Sequence, residues 1–274
     1  MKLRFENVAF TYPSGVRALD GIDLSIGAGE LVAIVGENGA GKTTLVKMLN
    51  GLLHPTSGIV WVGAWNTADH STAELAARVG FLFQNPDEQL FERSAEREVA
   101  FGPRNLGFSE RKTRERTRKA LKRVGLLAKA QVNPYDMMPF ERKLLALAST
   151  LAMDPPVLVL DEPSVGQDAA GRARIGRILR NLHRMGKTIL LISHDLDFCA
   201  EHAKRAVVMA KGCILADGPA HTVFGQADLL RQAAVFPPQI VRLAQALKMP
   251  ASPLTVGQFV SAYSKERRKG KRAN

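Results

Sequence analysis

A glycine-rich stretch near the start of the chain has the residue types and spacing of a phosphate-binding loop. Residues 36–43, Gly-Glu-Asn-Gly-Ala-Gly-Lys-Thr, fit G-x-x-x-x-G-K-[ST] between the apolar run Leu31–Val35 and a predicted helix over Lys42–Asn50. Glycines let backbone N–H groups turn inward around phosphate oxygens, and the helix N-terminus adds its positive end. The phosphates of a nucleotide are therefore predicted to be bound by Gly36, Glu37, Asn38, Gly39, Ala40, Gly41, Lys42, Thr43 and Thr44.

Two carboxylates at the end of a second apolar run would complete the chemistry. The run Val157–Leu160 has the length of a buried strand, and Asp161 and Glu162 follow it directly. In a site of this loop class, Lys42 would reach the β- and γ-phosphates of the nucleotide. Thr43 and Asp161 would hold Mg²⁺, the aspartate through water, and Glu162 would polarise the attacking water.

Short apolar runs that alternate with helical stretches must position these residues, and they indicate a parallel α/β core. The buried strands predicted for this core are Leu31–Val35, Val157–Asp161 and Thr188–Ser193, followed by a hairpin of Arg205–Met209 and Cys213–Ala216. An antiparallel β layer is predicted from Lys2–Phe10 and Ile22–Ile26, and Ile59–Val62 and Val79–Phe83 are further predicted strands. The clearest helices are Arg111–Val124, Lys143–Leu151 and Ala170–Met185.

The organisation along the chain predicts one large domain with an insertion and an extension. The block from about 85 to 150 has a helical pattern and is predicted to be an inserted helical subdomain of the domain 1–225. Beyond it, short helical pieces separated by Pro237-Pro238 and Pro250 predict a small C-terminal helical extension, 226–274. The extension ends in a basic tail, Lys265–Arg272.

Charge and hydropathy narrow the class of protein further. No apolar run reaches the roughly 18–20 residues of a membrane-spanning helix, so none is predicted. The net charge of +12, concentrated partly in Arg111–Arg123, is compatible with simple solubility, with nucleic acid or with the anionic cytoplasmic leaflet of a membrane. The two cysteines, Cys199 and Cys213, lack metal-ligand spacing and are expected to be buried free thiols.

Together with four further features, these residues resemble those of the ATP-binding-cassette (ABC) ATPases, which have the P-loop NTPase fold. The resemblance implies that Tyr12 stacks on adenine and that Gln84 contacts Mg²⁺ and relays to a transport partner. It implies that His194 contacts the γ-phosphate, and that Ser164–Asp168 is the loop that crosses to a second subunit. Gln167 departs there from the leucine usual in the family. The implied cofactors are ATP and Mg²⁺.

Two segments resemble more narrowly the energy-coupling-factor ATPases, which are the paired ATPases of vitamin and cobalt or nickel importers. Phe83–Phe91 (FQNPDEQLF) is similar to the signature after their glutamine loop, and Phe236–Ala244 (FPPQIVRLA) is similar to their C-terminal region. The resemblance implies an ATPase coupled to transmembrane transport, peripheral on the cytoplasmic face of the cell membrane. The implied partners are a second ATPase subunit, a transmembrane coupling protein and a substrate-binding membrane component, with no nucleic acid.

The chain departs from the family at its signature motif, Leu-Ser-Gly-Gly-Gln. Counting back from the strand of Asp161 places this motif on Met137-Met138-Pro139-Phe140-Glu141. In the family, the serine hydroxyl and glycine amides of one subunit close on the γ-phosphate held by the other. Met138 has no hydroxyl, Pro139 has no N–H, and Phe140 is bulky where the backbone must approach closely. Glu141 could in addition place negative charge near the triphosphate.

Because the signature acts on the nucleotide of the other subunit, its loss predicts an asymmetric heterodimer. This chain would supply an intact phosphate loop and borrow the closing signature from its partner. One rival is a regulatory subunit with little turnover, favoured by the altered signature and disfavoured by Glu162. A second is an ABC ATPase acting on nucleic acid, favoured by the positive charge and disfavoured by the lack of a coiled-coil insertion, zinc site or second cassette. A kinase or GTPase would give Tyr12, Gln84 and His194 no role.

Overall fold

A four-stranded antiparallel sheet forms the first layer of the chain, whose computed structural model describes residues 1–250 and 252–270. Its strands are β1 (Leu3–Thr11), β2 (Arg17–Ile26), β4 (Ser57–Val62) and β5 (Trp65–Asn66), in the spatial order β2-β1-β4-β5. Alternate residues of β1 and β2 are buried, as expected for a sheet with one face on the core. The predicted antiparallel β layer is confirmed.

A six-stranded sheet forms the second layer and carries the predicted site. Its strands are β3 (Leu31–Val35), β6 (Val79–Leu82), β7 (Val157–Asp161), β8 (Thr188–Ile192), β9 (Arg205–Ala210) and β10 (Cys213–Pro219). The spatial order is β10-β9-β3-β8-β7-β6, and only the β9–β10 pair is antiparallel. The predicted parallel α/β core is therefore confirmed.

The parallel strands β3, β6, β7 and β8 of the second layer are buried on both faces, which explains their unbroken apolar sequence. In β3, Leu31, Ala33 and Val35 pack into the core cluster shared with the helices. Val32 and Ile34, on the opposite face, pack into the cluster shared with the antiparallel sheet. The central strands are thus fixed between two cores, and their carboxyl ends meet at one edge of the sheet.

Eleven helices of the described residues surround these sheets. They are α1 (Lys42–Lys47), α2 (Thr72–Ala76), α3 (Ala95–Asn105), α4 (Glu110–Val124), α5 (Pro139–Met153), α6 (Ala169–Arg184), α7 (Leu196–His202), α8 (Ala220–Gly225), α9 (Ala227–Gln232), α10 (Gln239–Ala246) and α11 (Val256–Gly270). Helices α3, α4 and α5 follow β6 and precede β7 in the sequence, and they pack against one another. They lie within the block predicted to be an inserted helical subdomain. No helix in the described part of the chain is long and apolar enough to cross a membrane.

The segment after residue 225 begins inside the core. Leu230, Ala233 and Val235 are buried in the same cluster as β3, whereas the exposed apolar side chains of α10 and α11 include Leu243 and Val260. The domain boundary at residue 225 stays a prediction. The predicted basic tail lies on the end of α11, and its last two residues, 271 and 272, are outside the described residues. Both cysteines are free, but only Cys199 is buried.

Candidate nucleotide site

The predicted phosphate loop connects β3 to α1 and depends on backbone shapes that only glycine adopts easily. Gly36 has a φ of 153°, Gly39 of 83° and Gly41 of 98°. A Cβ added at Gly36 would lie 2.1 Å from the carbonyl oxygen of Met209, because β9 passes directly beside the loop. The glycine spacing of the motif therefore has a steric cause here, and it leaves the N-terminus of α1 open toward the loop.

Replacing Gly36 by alanine is expected to cost roughly 3 kcal/mol of folding stability and to abolish ATP binding, because the loop must move away from β9. Gly39→Ala is the matched control, since no atom lies within 4 Å of its added Cβ. That variant should lose only the backbone strain of about 1–2 kcal/mol. Thermal unfolding and titration with a fluorescent ATP analogue measure both effects, and equal losses in the two variants would contradict the steric explanation.

Lys42 lies inside the loop, where phosphate oxygens would sit. Its Nζ donates hydrogen bonds to the carbonyl oxygens of Gly36 at 2.9 Å and Glu37 at 2.7 Å. Burial lowers the pKa of the Lys42 ammonium, and the nearby Glu162 and Asp161 carboxylates oppose that shift. A buried ammonium with only carbonyl partners is well placed to bind an anionic phosphate.

Thr43 and Asp161 lie together at the base of the same cavity. Thr43 Oγ1 donates to Asp161 Oδ2 at 2.7 Å. Burial raises the pKa of the Asp161 carboxyl, while the hydrogen bond from Thr43 lowers it. A hydroxyl and a carboxylate are hard oxygen ligands of the kind Mg²⁺ prefers, and a bound cation would favour the ionised Asp161. These residues therefore fit a magnesium ion next to the phosphates.

Glu162 and His194 form a direct pair beside the loop. Glu162 leaves β7 with a φ of 48° and is nearly fully buried. One carboxylate oxygen accepts from Ser193 Oγ at 2.8 Å, and the other accepts from the backbone N–H of His194 at 2.9 Å. The second oxygen also lies 2.7 Å from His194 Nδ1, so an ionised Glu162 makes this nitrogen the donor. The end of β8 thus orients the carboxylate and the imidazole together.

Tyr12 and Gln84 line a cavity of about 480 Å³ together with the loop, Asp161 and Glu162. The hydroxyl of Tyr12 lies 2.9 Å from Thr44 Oγ1, and its ring packs edge-on against Phe10. The structure therefore brings the predicted adenine, phosphate and magnesium contacts to one cavity. His194 instead lines a neighbouring cavity, with Glu37, Asn38 and the start of the C-terminal segment.

Two contacts of the site were not predicted from the sequence. Lys143, on α5, is buried and donates from Nζ to the carbonyl oxygen of Gln84. Burial lowers the pKa of its ammonium, and Asp161 and Glu162 raise it. The backbone N–H of Glu37 donates to the carbonyl oxygen of Ala233 at 3.2 Å. The sequence contained one signal for the first contact, namely a lysine on the apolar face of α5. No local pattern indicated the contact between Glu37 and Ala233.

The segment predicted to be an altered signature, Met137–Glu141, lies at the start of α5. Pro139 occupies the first turn, where its missing N–H leaves the helix one donor fewer. Met138 and Phe140 project into solvent with 60% and 37% of their surface exposed. This end of the helix therefore exposes two apolar side chains, with no side-chain hydroxyl at residue 138 and no backbone N–H at residue 139.

The sequence suggested that Glu141 places negative charge near the triphosphate, and the structure shows that this carboxylate is paired instead. Its side chain is nearly buried and accepts hydrogen bonds from Lys129 Nζ at 2.6 and 2.7 Å. It also accepts from the backbone N–H of Met138 at 3.2 Å. The carboxylate thus caps α5 and is neutralised by Lys129, because a glutamate three residues into a helix reaches back to the first free amides.

The two departures from the family contact each other. Gln167 Nε2 donates to the carbonyl oxygen of Phe140 at 3.0 Å. Within one chain, this hydrogen bond links the predicted crossing loop to the altered signature. A leucine at residue 167 could not form it, so the contact depends on Gln167, whereas the acceptor is a backbone carbonyl that any residue at 140 would supply.

The α/β fold and the loop around Lys42 define a P-loop nucleotide-binding protein. The sequence profile of the family described as ABC transporter matches residues 19–165. The chain therefore belongs to the ABC transporter family, as an ATP-binding subunit whose ATPase activity is coupled to transport.

Individual relatives agree with the resemblance to energy-coupling-factor ATPases. An energy-coupling factor transporter ATP-binding protein, EcfA of Methanothermobacter thermautotrophicus, is 38% identical over 250 residues, covering 90% of this chain and 80% of its own length. The structure of cbiO1 from Clostridium perfringens, part of the ABC transporter complex cbiONQ, has a TM-score of 0.74 and 32% identity. It covers 90% of this chain and 98% of cbiO1. A dimeric post-hydrolysis ATP-binding cassette with bound ADP and Pi also has a TM-score of 0.74, with 26% identity, over 80% of this chain and 98% of that cassette.

Proposed function

We propose that the chain is the ATP-hydrolysing subunit of an energy-coupling-factor importer for a vitamin or a transition-metal ion. The observation that carries this proposal is that Lys42, Thr43, Asp161 and Glu162 line one cavity, in a chain that resembles EcfA and cbiO1. We call this set of four residues the cradle. The cradle belongs to the proposed ATPase domain 1–225, and 226–274 would form the extension. The subunit would lie on the cytoplasmic face of the cell membrane, held there by its partners.

The geometry supports a division of labour within the site. The phosphate loop and Lys42 bind the β- and γ-phosphates, while Tyr12 supports the adenine ring. Thr43, Asp161 and Gln84 hold Mg²⁺, whose chemistry is to neutralise charge on the phosphate oxygens. Glu162 polarises the attacking water, and His194, held by its Nδ1 contact with Glu162, directs Nε2 toward the γ-phosphate.

The second ATPase subunit follows from what the start of α5 lacks. Met138 supplies no hydroxyl, Pro139 supplies no amide N–H, and the bulky side chain of Phe140 obstructs close approach of a partner's nucleotide to the backbone. Two or three missing charge-assisted hydrogen bonds, at about 1.5–3 kcal/mol each, would leave the site on the partner's phosphate loop poorly closed. The site on this chain would be closed by an intact signature from a different subunit. The pair is therefore an asymmetric heterodimer.

An apolar groove on the helical block suits the transmembrane coupling protein. Phe91 and Phe101 pack edge to face at 4.8 Å, yet 57% and 40% of their surfaces are exposed. They line a groove of about 310 Å³ with Leu106 and Met153. Exposed aromatic side chains in a groove are typical of a site that receives a partner's apolar segment. We call this surface the apolar groove.

The heterodimer is tested by measuring ATP turnover of the chain alone and with an ATPase subunit that carries an intact signature. Hydrolysis by the mixed pair should exceed that of the lone chain at least about 100-fold, because the missing donors are worth roughly 3 kcal/mol or more. The control is the partner alone at the same concentration. Equal turnover by the lone chain and the pair would exclude the asymmetric arrangement.

A regulatory subunit that binds ATP with little turnover is the second candidate. The signature surface of Met138 and Phe140 favours it, because each ATPase pair containing this chain has at least one poorly closed site. The intact Glu162–His194 pair favours catalysis instead. The two candidates differ in whether removing the charge of Glu162 changes the turnover of the assembled pair.

A further inference from the structure

Helix α4 carries an unusual concentration of positive charge. Eight of its fifteen residues are Arg or Lys, and Glu110 and Glu115 are its only acids. Its apolar side, which includes Leu121 and Val124, is buried against the neighbouring helices. The outer surface of α4 therefore consists mainly of the basic residues, with the two glutamates among them. Among the described residues, only Arg116 of the eight has a carboxylate within 4.0 Å, namely Asp154. The nucleotide site uses none of this charge.

Helical spacing divides the eight residues among different sides of α4. Lys112, Arg116, Lys119 and Arg123 are four, three and four positions apart, so they share one side of the helix. We call these four residues the basic stripe. They line a cavity of about 180 Å³ whose other walls include Asp154 and Met185. Arg111, Arg118 and Lys122 lie about 110° further round the helix, and Arg114 lies nearly opposite the stripe.

Two carboxylates face the four cations of the basic stripe, and one of the two, Asp154, is already paired. Glu115 and Asp154 line the same cavity. Asp154 is 2.7 Å from Lys187 Nζ and 3.5 Å from Arg116, and these cations lower the pKa of its carboxyl. Lys112, Lys119 and Arg123 therefore present net positive charge around the cavity.

The basic stripe and the apolar groove meet at the C-terminal end of α5. Ala152 and Asp154 line the cavity of the stripe, and Met153 between them lines the groove. On the other side, the groove ends at Leu106, and Phe108 follows two residues later. The Phe108 ring lies 4.3 Å from Lys112 Nζ and 4.6 Å from the Arg116 guanidinium. Apolar, aromatic and basic surfaces are thus continuous.

We propose that the basic stripe docks on the headgroups of anionic phospholipids and orients the subunit against the membrane. The inference rests on the proposed function, because a transmembrane partner in the apolar groove would bring the adjacent stripe to the bilayer. Basic side chains next to aromatic ones match the interface of an anionic leaflet, where each Lys or Arg strengthens binding about fivefold. The long lysine and arginine side chains can reach phosphates without unfolding the helix.

Sedimentation with vesicles tests the stripe on the full chain without any partner. The chain should bind phosphatidylcholine vesicles that contain phosphatidylglycerol and should not bind pure phosphatidylcholine, with binding weakened by salt. Lys112→Glu, Lys119→Glu and Arg123→Glu together should weaken that binding at least about 100-fold, since three favourable charges are removed. All three side chains are at the surface, so circular dichroism and thermal unfolding should match the wild type.

A different side of the same helix, about 110° away from the stripe, provides the matched control. Arg111→Glu, Arg118→Glu and Lys122→Glu change the net charge equally but should keep most of the vesicle binding. Equal losses of vesicle binding in both variants would contradict docking through the basic stripe, because the total charge of the chain would then explain the binding. Wild-type binding by the stripe variant, or a preference of the chain for duplex DNA over anionic vesicles, would overturn it as well. ATP turnover by the soluble ATPase pair should be unchanged, so failure of lipid docking is distinguishable from failure of the proposed function.

Discussion

Glu162→Gln should lower ATP turnover by the assembled ATPase pair at least about 100-fold while ATP binding persists. The carboxylate is the proposed base for the attacking water, and an amide cannot accept a proton at neutral pH. Removing a negative group beside the phosphate loop also reduces repulsion of the γ-phosphate, so bound ATP should be retained longer. The measurements are steady-state phosphate release and equilibrium binding of ATP.

The hydrogen bonds around Glu162 make this substitution structurally mild. A glutamine carbonyl oxygen can accept from the backbone N–H and Nδ1 of His194, as the carboxylate does. Its amide can donate to Ser193 Oγ, because a hydroxyl both accepts and donates. Thermal unfolding should therefore match the wild type, and a loss of turnover would report chemistry rather than misfolding.

Glu98→Gln provides a matched control for this experiment. Glu98 is also buried and accepts two backbone N–H bonds, from Phe91 and Glu92, but it lies outside the nucleotide cavity. Its variant should retain turnover in the soluble pair. Unchanged turnover in Glu162→Gln would instead support the regulatory subunit, with the working site on the other chain.

The strands that carry the site could be predicted almost to the residue. Leu31–Val35 and Val157–Asp161 match the structure at both ends, because a strand buried on both faces has an unbroken apolar sequence that ends where polar residues begin. The ends of partly exposed strands were harder to predict. The predicted strand Ile22–Ile26 starts at Arg17, since the outer half of β2 is largely exposed and lacks an apolar pattern.

Helix ends in the helical block were predicted less well. Helix α5 begins at Pro139, four residues before the predicted Lys143, because Met138 gives no side-chain capping signal. Helix α1 ends at Lys47 rather than Asn50 and continues as turns. The whole of α3, Ala95–Asn105, lay in a region predicted only as generally helical, since Gly102 and Pro103 obscure its pattern.

The motifs gave the members of the site but not their mutual contacts. Residues that follow strands at the same edge of a parallel sheet must lie close together, so Thr43 and Asp161 were expected to be neighbours. The Glu162–His194 contact and the Gln167–Phe140 hydrogen bond depend on side-chain directions that no local pattern specifies. The roles of all these residues remain predictions until they are measured.

Restoring the signature should raise the ATP content of the closed pair from about one molecule to about two. The variant carries Met137→Leu, Met138→Ser, Pro139→Gly, Phe140→Gly and Glu141→Gln. Glu162→Gln stops hydrolysis on this chain, and the matching glutamate-to-glutamine change in the partner stops it on the partner's loop. The new serine hydroxyl and glycine amides would face the nucleotide on the partner's loop. Even one regained charge-assisted hydrogen bond of about 1.5–3 kcal/mol strengthens ATP retention roughly 10- to 100-fold.

The contacts that residues 137–141 make in the native chain determine how much folding stability this variant loses. Glu141→Gln leaves Lys129 without its carboxylate, and the two new glycines add backbone freedom at the start of α5. The hydrogen bond from Gln167 can persist, because it is accepted by the backbone carbonyl of residue 140. A modest fall in thermal stability is therefore expected together with the gain in bound ATP. Met138→Leu with Phe140→Leu, again in the Glu162→Gln background, is the control, because it changes the exposed side chains without adding donors. Counting bound ATP after gel filtration decides the question: two tightly held molecules in the native pair, or no gain in the restored one, would show that the altered signature does not cause the asymmetry.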